Sequence, residues 1–189
     1  MDTISDLVCV AIDPVNTSHF YAGSFDKGLI EFEDNNPVRV YNNNNSSLGS
    51  VLGYESMVYV SGLEFDSKHN LWALNSQTDK LLSVKESNGT WHSYDVGSGG
   101  AFTSHLIIDK NNFKWMAERY GTITVFNDNN TLSNTSDDQY KVIKNVAGQG
   151  GLPATANCMA VDSRGVVWVG TTDGVCMFTD TRKIFKSGV

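Results

Sequence analysis

A chain of 189 residues, 40% hydrophobic and 19% charged, has material for one or two small cores. Its 14 basic and 21 acidic residues leave a net charge of −7 with no Lys/Arg cluster. That argues against a nucleic-acid partner, and against an anionic membrane surface, because both need a concentrated basic face. No apolar run approaches the ~20 residues that a spanning helix requires, and the opening MDTISDLVCV lacks the basic start of a signal peptide.

Taken along the chain, one pattern occurs four times. VAIDPVNTSHFYAGSFDKGLIEF (residues 10–32), LEFDSKHNLWALNSQTDKLLSV (63–84), LIIDKNNFKWMAERYGTITVF (106–126) and ANCMAVDSRGVVWVGTTDGVCMF (156–178) each open on an apolar run ending in an aspartate. A polar turn, a run carrying an aromatic, a second turn and a third run follow. Period-2 alternation bounded by Gly, Asp, Asn and Ser is what half-buried strands and tight turns look like. The landmark aspartates Asp13, Asp66, Asp109 and Asp162 lie 53, 43 and 53 residues apart, and Trp72, Trp115 and Trp168 sit inside the second strands. The first copy diverges most: its turn is one residue longer, and Phe20 stands in place of the tryptophan. A repeat near 43 residues with an aromatic in its second strand is the signature of propeller blades.

The fold expected is therefore all-β: a β-propeller of about four four-stranded blades, over residues 6–57, 58–101, 102–150 and 151–189. These form a single region and part of a larger ring. Blade one reads as strands at 7–12, 20–24, 29–32 and 38–41, followed by an Asn/Ser-rich surface loop at 42–50. Blade two opens at 60–65 and closes at 90–94. Blade three opens near Thr103 and carries an acidic, Asn-rich insertion at 127–138 before a strand at 139–144. Blade four ends in a poor fourth strand at 182–186. In the inner strands Val10/Ile12, Leu63/Phe65, Leu106/Ile108 and Met159/Val161 put bulk on one face, while Ala11 and Ala160 keep the other small. The three tryptophans are expected to pack between blades. An incomplete ring would expose the apolar faces of its end blades and self-associate.

Signals for chemistry are sparse. Cys9, Cys158 and Cys176 form no C-x-x-C, and Cys9 and Cys158 share one repeat position, as small packing residues would. His19, His69, His92 and His105 lack zincin spacing and a Ser or Cys partner, and no nucleophile elbow, phosphate loop or dinucleotide-binding pattern occurs. The aspartate turns lack the ligand density of a calcium loop and read as Asx caps. The insertion at 127–138 reads as a solvated loop, with opportunistic calcium binding as the minority alternative. No catalytic residue, metal site or cofactor is predicted. In a propeller the loops between strands two and three share a rim with the crossings between blades, here 98–104 and 148–154. On that rim Phe25 and Tyr120 offer stacking faces, and Asp26, Glu118, Arg119 and Asp173 offer hydrogen bonds. This chemistry suits a sugar or a peptide.

The stretches AIDP…YAGSFDKGLIEF, GLEFDSKHNLWALN, NGTWHSYD, DKNNFKWM and GLPATANCMAVDSRGVVWVGTTDGVCMF resemble two groups of propellers in Bacteroidota. One is the two-component-regulator propeller repeat of periplasmic sensors of hybrid histidine kinases. The other, similar over more of the chain in order, is the PorZ-like surface protein of the type IX secretion system. The repeat motif D-x-x-G-x-x-W-x-G-T…G carries the resemblance, and blades two and three depart from it with Leu74-Asn75 and Ala117-Glu118 in place of Gly-Thr. The resemblance implies a non-catalytic, extracytoplasmic binding or assembly module in the periplasm or at the outer-membrane surface, with a signal peptide in a longer parent. PorZ-like proteins imply a surface partner, the sortase, and lipopolysaccharide. Sensor propellers imply oligosaccharide ligands instead. A remote third reading is a propeller enzyme resembling streptogramin lyases, for which His105 and Glu118, on different strands, are the pair on offer.

Overall fold

The computed structural model describes residues 4–119, 121–144 and 155–186. It divides into two compact units, Met1–Thr103 and Ser104–Val189. The first holds β1 (Leu7–Ile12), β2 (His19–Asp26), β3 (Leu29–Glu33) and β4 (Asn36–Tyr41), then β5 (Val58–Phe65), β6 (Leu71–Ser76), β7 (Leu82–Lys85) and β8 (Trp91–Tyr94). Two antiparallel meanders, β1 to β4 and β5 to β8, are joined where the end of β2 pairs with β5, Phe25 opposite Tyr59 and Asp26 opposite Val58. The strands of the second part are β9 (Thr103–Ile108), β10 (Lys114–Glu118), β11 (Ile123–Asn127), β12 (Gln139–Ile143), β13 (Ala156–Val161), β14 (Val167–Thr171) and β15 (Gly174–Phe178). They form one four-stranded sheet, β12-β11-β10-β9, and one of three strands, β13-β14-β15. Up-and-down sheets of this kind, repeated at the spacing of the landmark aspartates, are propeller blades, and the fold is all-β.

The aspartates explain why each meander turns where it does. Asp66 Oδ1 accepts the N–H groups of Lys68 and Asn70, both at 2.9 Å, while its Oδ2 accepts the Trp72 indole N–H at 2.9 Å. Asp109 does the same for Asn111, Phe113 and Trp115, and Asp162 for Arg164, Val166 and Trp168. One carboxylate thus closes the turn and satisfies a donor that burial would otherwise orphan. The third residue after each of these aspartates is left-handed, with φ of +68° at His69, +63° at Asn112 and +87° at Gly165.

The tryptophans anchor the cores. Trp72 and Trp115 are fully buried, Trp72 against the Tyr94 ring at 5.6 Å and Trp115 against the Phe178 ring at 4.9 Å. In the second unit Val167, Val169, Met159 and Val161 of the three-stranded sheet pack with Trp115, Ile123 and Val125 of the four-stranded one. In the first, Leu63 and Leu71 pack with Ala11, Tyr21 and Leu29. The corresponding bulk on β1, Val10 and Ile12, faces outward instead, 57% and 56% exposed.

Two of the three cysteines, Cys9 and Cys158, fill space left by glycines. Cys9 lies opposite Gly23 and Cys158 opposite Gly170, whereas blade two reverses the sizes with Gly62 opposite Leu74. A Cβ at Gly23 would lie 2.5 Å from Cys9 Sγ, and one at Gly170 2.6 Å from Cys158 Sγ. Burial pushes the Cys9 thiol up to about 11, so it packs as a neutral group.

Three strand-level expectations change. Phe20 is not the counterpart of the tryptophans: Tyr21 lies opposite Ala11, as Trp168 lies opposite Ala160 and Trp72 opposite Glu64, because the first turn holds two extra residues rather than one. Residues 182–186 form no strand. A 3₁₀ turn at Thr181–Lys183 follows Asp180, and Ile184 and Phe185 beyond it pack into the core, Phe185 edge-on to Phe113. The loop at 42–50 is not wholly superficial. Leu48 is buried, and Gly49 is fixed by the Asn75 side-chain oxygen at 2.6 Å.

Candidate functional site

Strand β2 presents different chemistry at its two ends, separated by about 23 Å of extended chain. At its C-terminal end lie Phe25 and Asp26, two of the residues expected on the rim from the sequence. Ser24 Oγ accepts the N–H groups of Asp26 and Lys27 and donates to the Ser5 carbonyl, which sets the turn into β3. Gly28 completes it with φ +87°, where a Cβ would lie 2.4 Å from the Tyr41 carbonyl oxygen, so only glycine fits. Asp26, ion-paired with Lys27 at 3.0 Å, lines a cleft of about 410 Å³ together with Asn42, Asn43, Asn44 and Glu55. The cleft wall is pre-formed: Asn45 donates to the Val40 carbonyl, and its Oδ1 accepts from the Asn42 N–H. Carboxylates, amides and an ammonium around an open cleft are suited to a polyhydroxylated or peptide ligand.

The other rim residues are placed less convergently. Phe25 is 39% exposed, but its ring leans on Tyr59 at 5.3 Å. The Glu118 carboxylate closes on the hydroxyls of Thr122 and Thr124, its own turn. Arg119 and Asp173 are exposed, Asp173 in the β14–β15 turn. Tyr120 and the crossing at 148–154 lie outside the described residues. Phe25 and Asp26 are thus neighbours in one unit; in the other, Glu118 ends β10 while Arg119 and Asp173 sit in turns.

At the N-terminal end of β2 lies a polar network that the sequence did not single out. His19 Nδ1 meets Asp13 Oδ2 at 3.1 Å and its Nε2 meets Glu31 Oε1 at 2.8 Å. Tyr21 and Tyr41 donate their hydroxyls to the same Glu31 carboxylate at 2.9 and 2.8 Å. His69 Nε2, from the β5–β6 turn of the next blade, reaches Asp13 Oδ1 at 2.7 Å. The Lys85 ammonium sits over the Tyr21 and Tyr41 rings at 5.6 and 5.9 Å. Asp13, His19, Tyr21, His69, Lys85 and Glu86 line a cavity of about 240 Å³.

Charge and burial set the protonation there. Burial opposes the Asp13 carboxylate, but hydrogen bonds from Val15, His19, His69 and Asn16 outweigh it and hold the group down at about 2. Glu31 is likewise lowered: burial works against it, and Tyr41, His19 and Tyr21 donors with the Lys85 charge more than compensate. Burial also opposes charge on His19, yet the bonds to Asp13 and Glu31 raise it above the ordinary imidazole value. Burial and the Glu31 charge push the Tyr21 hydroxyl well up, and burial with the Glu31 bond takes Tyr41 to about 12. The one signal available in the sequence was positional: six residues after the landmark aspartate stand Trp72, Trp115 and Trp168, but His19 in the first repeat.

These features define a β-propeller scaffold. Residues 150–173 match the two-component-regulator propeller repeat. The chain is similar to PorZ of Porphyromonas gingivalis, an essential bacterial surface component of the type IX secretion system, with 26% identity over 97% of this chain and a TM-score of 0.86. It spans about a quarter of that protein, 26% of its length. The extracellular domain of a B. thetaiotaomicron protein assigned to a hybrid two-component system is similar at 17% identity over 94% of this chain and 22% of that one, TM-score 0.62. Virginiamycin B lyase from Staphylococcus aureus shares the fold at 11% identity over 96% of this chain and 58% of that one, TM-score 0.63. Among curated proteins none matches the chain. The resemblance carried by the repeats is supported: the chain has the propeller fold, is similar to PorZ and to the extracellular domain of a two-component regulator, and carries one match to the regulator propeller repeat.

Proposed function

We propose that the chain is a non-catalytic binding and assembly module, acting outside the cytoplasm as a surface accessory of type IX secretion. The observation that carries this reading is the likeness to PorZ over 97% of the chain at a TM-score of 0.86, against 0.62 for the sensor domain. Its partners are a carbohydrate or lipopolysaccharide, a surface protein, or both, and the cleft at Asp26 is where a polar ligand would be held. The non-catalytic reading is supported by Glu118, whose carboxylate is engaged by Thr122 and Thr124 rather than presented to a substrate. Titration of the purified protein with lipopolysaccharide and with neutral oligosaccharides tests the assignment. Lipopolysaccharide binding weakened about tenfold in Asp26→Ala supports it, the size expected for losing one charged hydrogen bond. Binding of short oligosaccharides alone would replace it with the glycan-sensing role suggested by the repeat match. Lactone or glycan turnover that vanishes in Glu118→Ala would overturn the non-catalytic reading.

A further inference from the structure

We propose that His19, Asp13 and His69 form a proton-operated tie between blade one and blade two, fastened when His19 is an imidazolium and loosened when it is neutral. The geometry carries this. Both ring nitrogens of His19 face carboxylates, Asp13 at 3.1 Å and Glu31 at 2.8 Å. A neutral imidazole has one N–H and a carboxylate has none to offer, so both bonds can be made only by the doubly protonated ring. Losing that proton turns one of the two contacts into lone pair against lone pair, and leaves Asp13 and Glu31 without the cation between them.

The groups around His19 set the direction of the response. From its own strand and the adjoining turn come Tyr21 and Asp13. From β3 and β4 come Glu31 and Tyr41, with Lys85 from β7, Glu86 just beyond it and His69 from the β5–β6 turn. Glu86 is itself paired with His92 at 2.6 Å. Asp13 and Glu31 are the acceptors nearest the ring, and Lys85 is spread over the two tyrosine faces. The tied state therefore binds the His19 proton more tightly than the loosened one. The tie is complete in mildly acidic solution and weakens as pH rises through the tied-state titration. Asp13 is also the residue that His69 reaches across the blade boundary, so the His19 charge and the interblade contact share one carboxylate. The same His69 lines, with Val10, Ile12, Val15 and Phe65, the groove of about 700 Å³ beside β1 and β5, so loosening frees one wall of that groove.

Residue-resolved amide exchange between about pH 5.5 and 8.5, corrected for intrinsic rates, reads the tie. The Val15 and Asn16 amides, both bound to Asp13 Oδ1, are the reporters. The Asn111, Phe113, Arg164 and Val166 amides, bound to Asp109 and Asp162, are controls in the same molecule. Protection of the reporters is expected to fall about tenfold for each pH unit separating the tied and loose titrations, with the controls unchanged. His19→Gln should abolish the pH dependence. His69→Asn keeps a residue tolerant of the left-handed backbone and should leave His19 titrating while removing the link to blade two. Should His19→Gln not fold, titration of the His19 ring by NMR in the wild-type protein decides. A midpoint above about 6.5 supports the tie, and one at or below that value overturns it. A pH dependence that persists in folded His19→Gln would overturn it equally.

Discussion

Three of the four aspartate turns are closed by an indole and one by an imidazole. At Asp66, Asp109 and Asp162 the Oδ2 atom accepts from a tryptophan six residues on, a donor that never titrates in water. At Asp13 the same atom meets His19, and the aromatic bulk is supplied two residues later by Tyr21. The first blade thus splits one residue's work between two. Packing goes to Tyr21, which is buried, and donation to His19, whose side chain keeps 22% of its surface in solvent. The split turns a fixed cap into a titrating one: Glu31 meets the second ring nitrogen and accepts the Tyr21 and Tyr41 hydroxyls, while His69 joins the Val15 and Asn16 amides at the other Asp13 oxygen.

The largest test breaks the comparison at its packing end. Trp115→Ala should cost about 3–5 kcal/mol in denaturant unfolding, since a fully buried indole leaves both a cavity and an unanswered Asp109 oxygen. His19→Ala, at the same offset from its aspartate, should cost about 1.5–3 kcal/mol near pH 6, the range for hydrogen bonds to charged groups, and much less at pH 9. The sign follows from the raised His19 value: its stabilisation is complete below about 6.5 and fades as pH climbs through the higher folded-state titration. A His19→Ala cost independent of pH would erase the distinction between the two kinds of turn. Toward acid the order reverses. Asp13, held at about 2, and the lowered Glu31 contribute stability above about pH 4 that is lost as each is protonated. Asp13→Asn should therefore flatten the acid limb of the unfolding curve.

A smaller test concerns the paired small and large residues of the inner strands. Gly170→Ala should cost about 1–3 kcal/mol, the usual penalty of overpacking, because its Cβ would lie 2.6 Å from Cys158 Sγ. Adding Cys158→Gly should restore most of it, reproducing the order blade two already uses with Gly62 opposite Leu74. Additive costs in the double variant would mean that the thiol is not what the glycine accommodates.

The repeats were legible because each blade is local: alternation, an aspartate and an aromatic within about 20 residues specify three strands and a capped turn. Residues that departed from the pattern were harder to read. The sequence shows Cys9 and Cys158 at one repeat position and Leu74 as a departure from the motif, but only strand register shows that each balances a glycine opposite. The His19 network was hidden for a different reason. It gathers Asp13, Glu31, Tyr41, His69 and Lys85 from two blades, and no spacing rule links an aspartate to a lysine on the seventh strand. Asp26 is a candidate that its loop position suggests, but the asparagines lining the same cleft come from the crossing segment, whose composition suggests solvent rather than a cleft wall.

The smallest effect expected separates the two ends of β2. Lys27 and Asp26 form an ion pair at 3.0 Å with side chains 40% and 35% exposed, so solvent screens it and Lys27→Ala should change stability by less than about 1 kcal/mol. The turn itself rests on Ser24 Oγ and Gly28, not on that pair. Ligand affinity is where Lys27→Ala should register: weaker lipopolysaccharide binding, steeper in low salt, with an unchanged unfolding midpoint. A fall in midpoint comparable to that of His19→Ala at pH 6 would show instead that the rim pair is structural, and that both ends of β2 serve to hold blade one together.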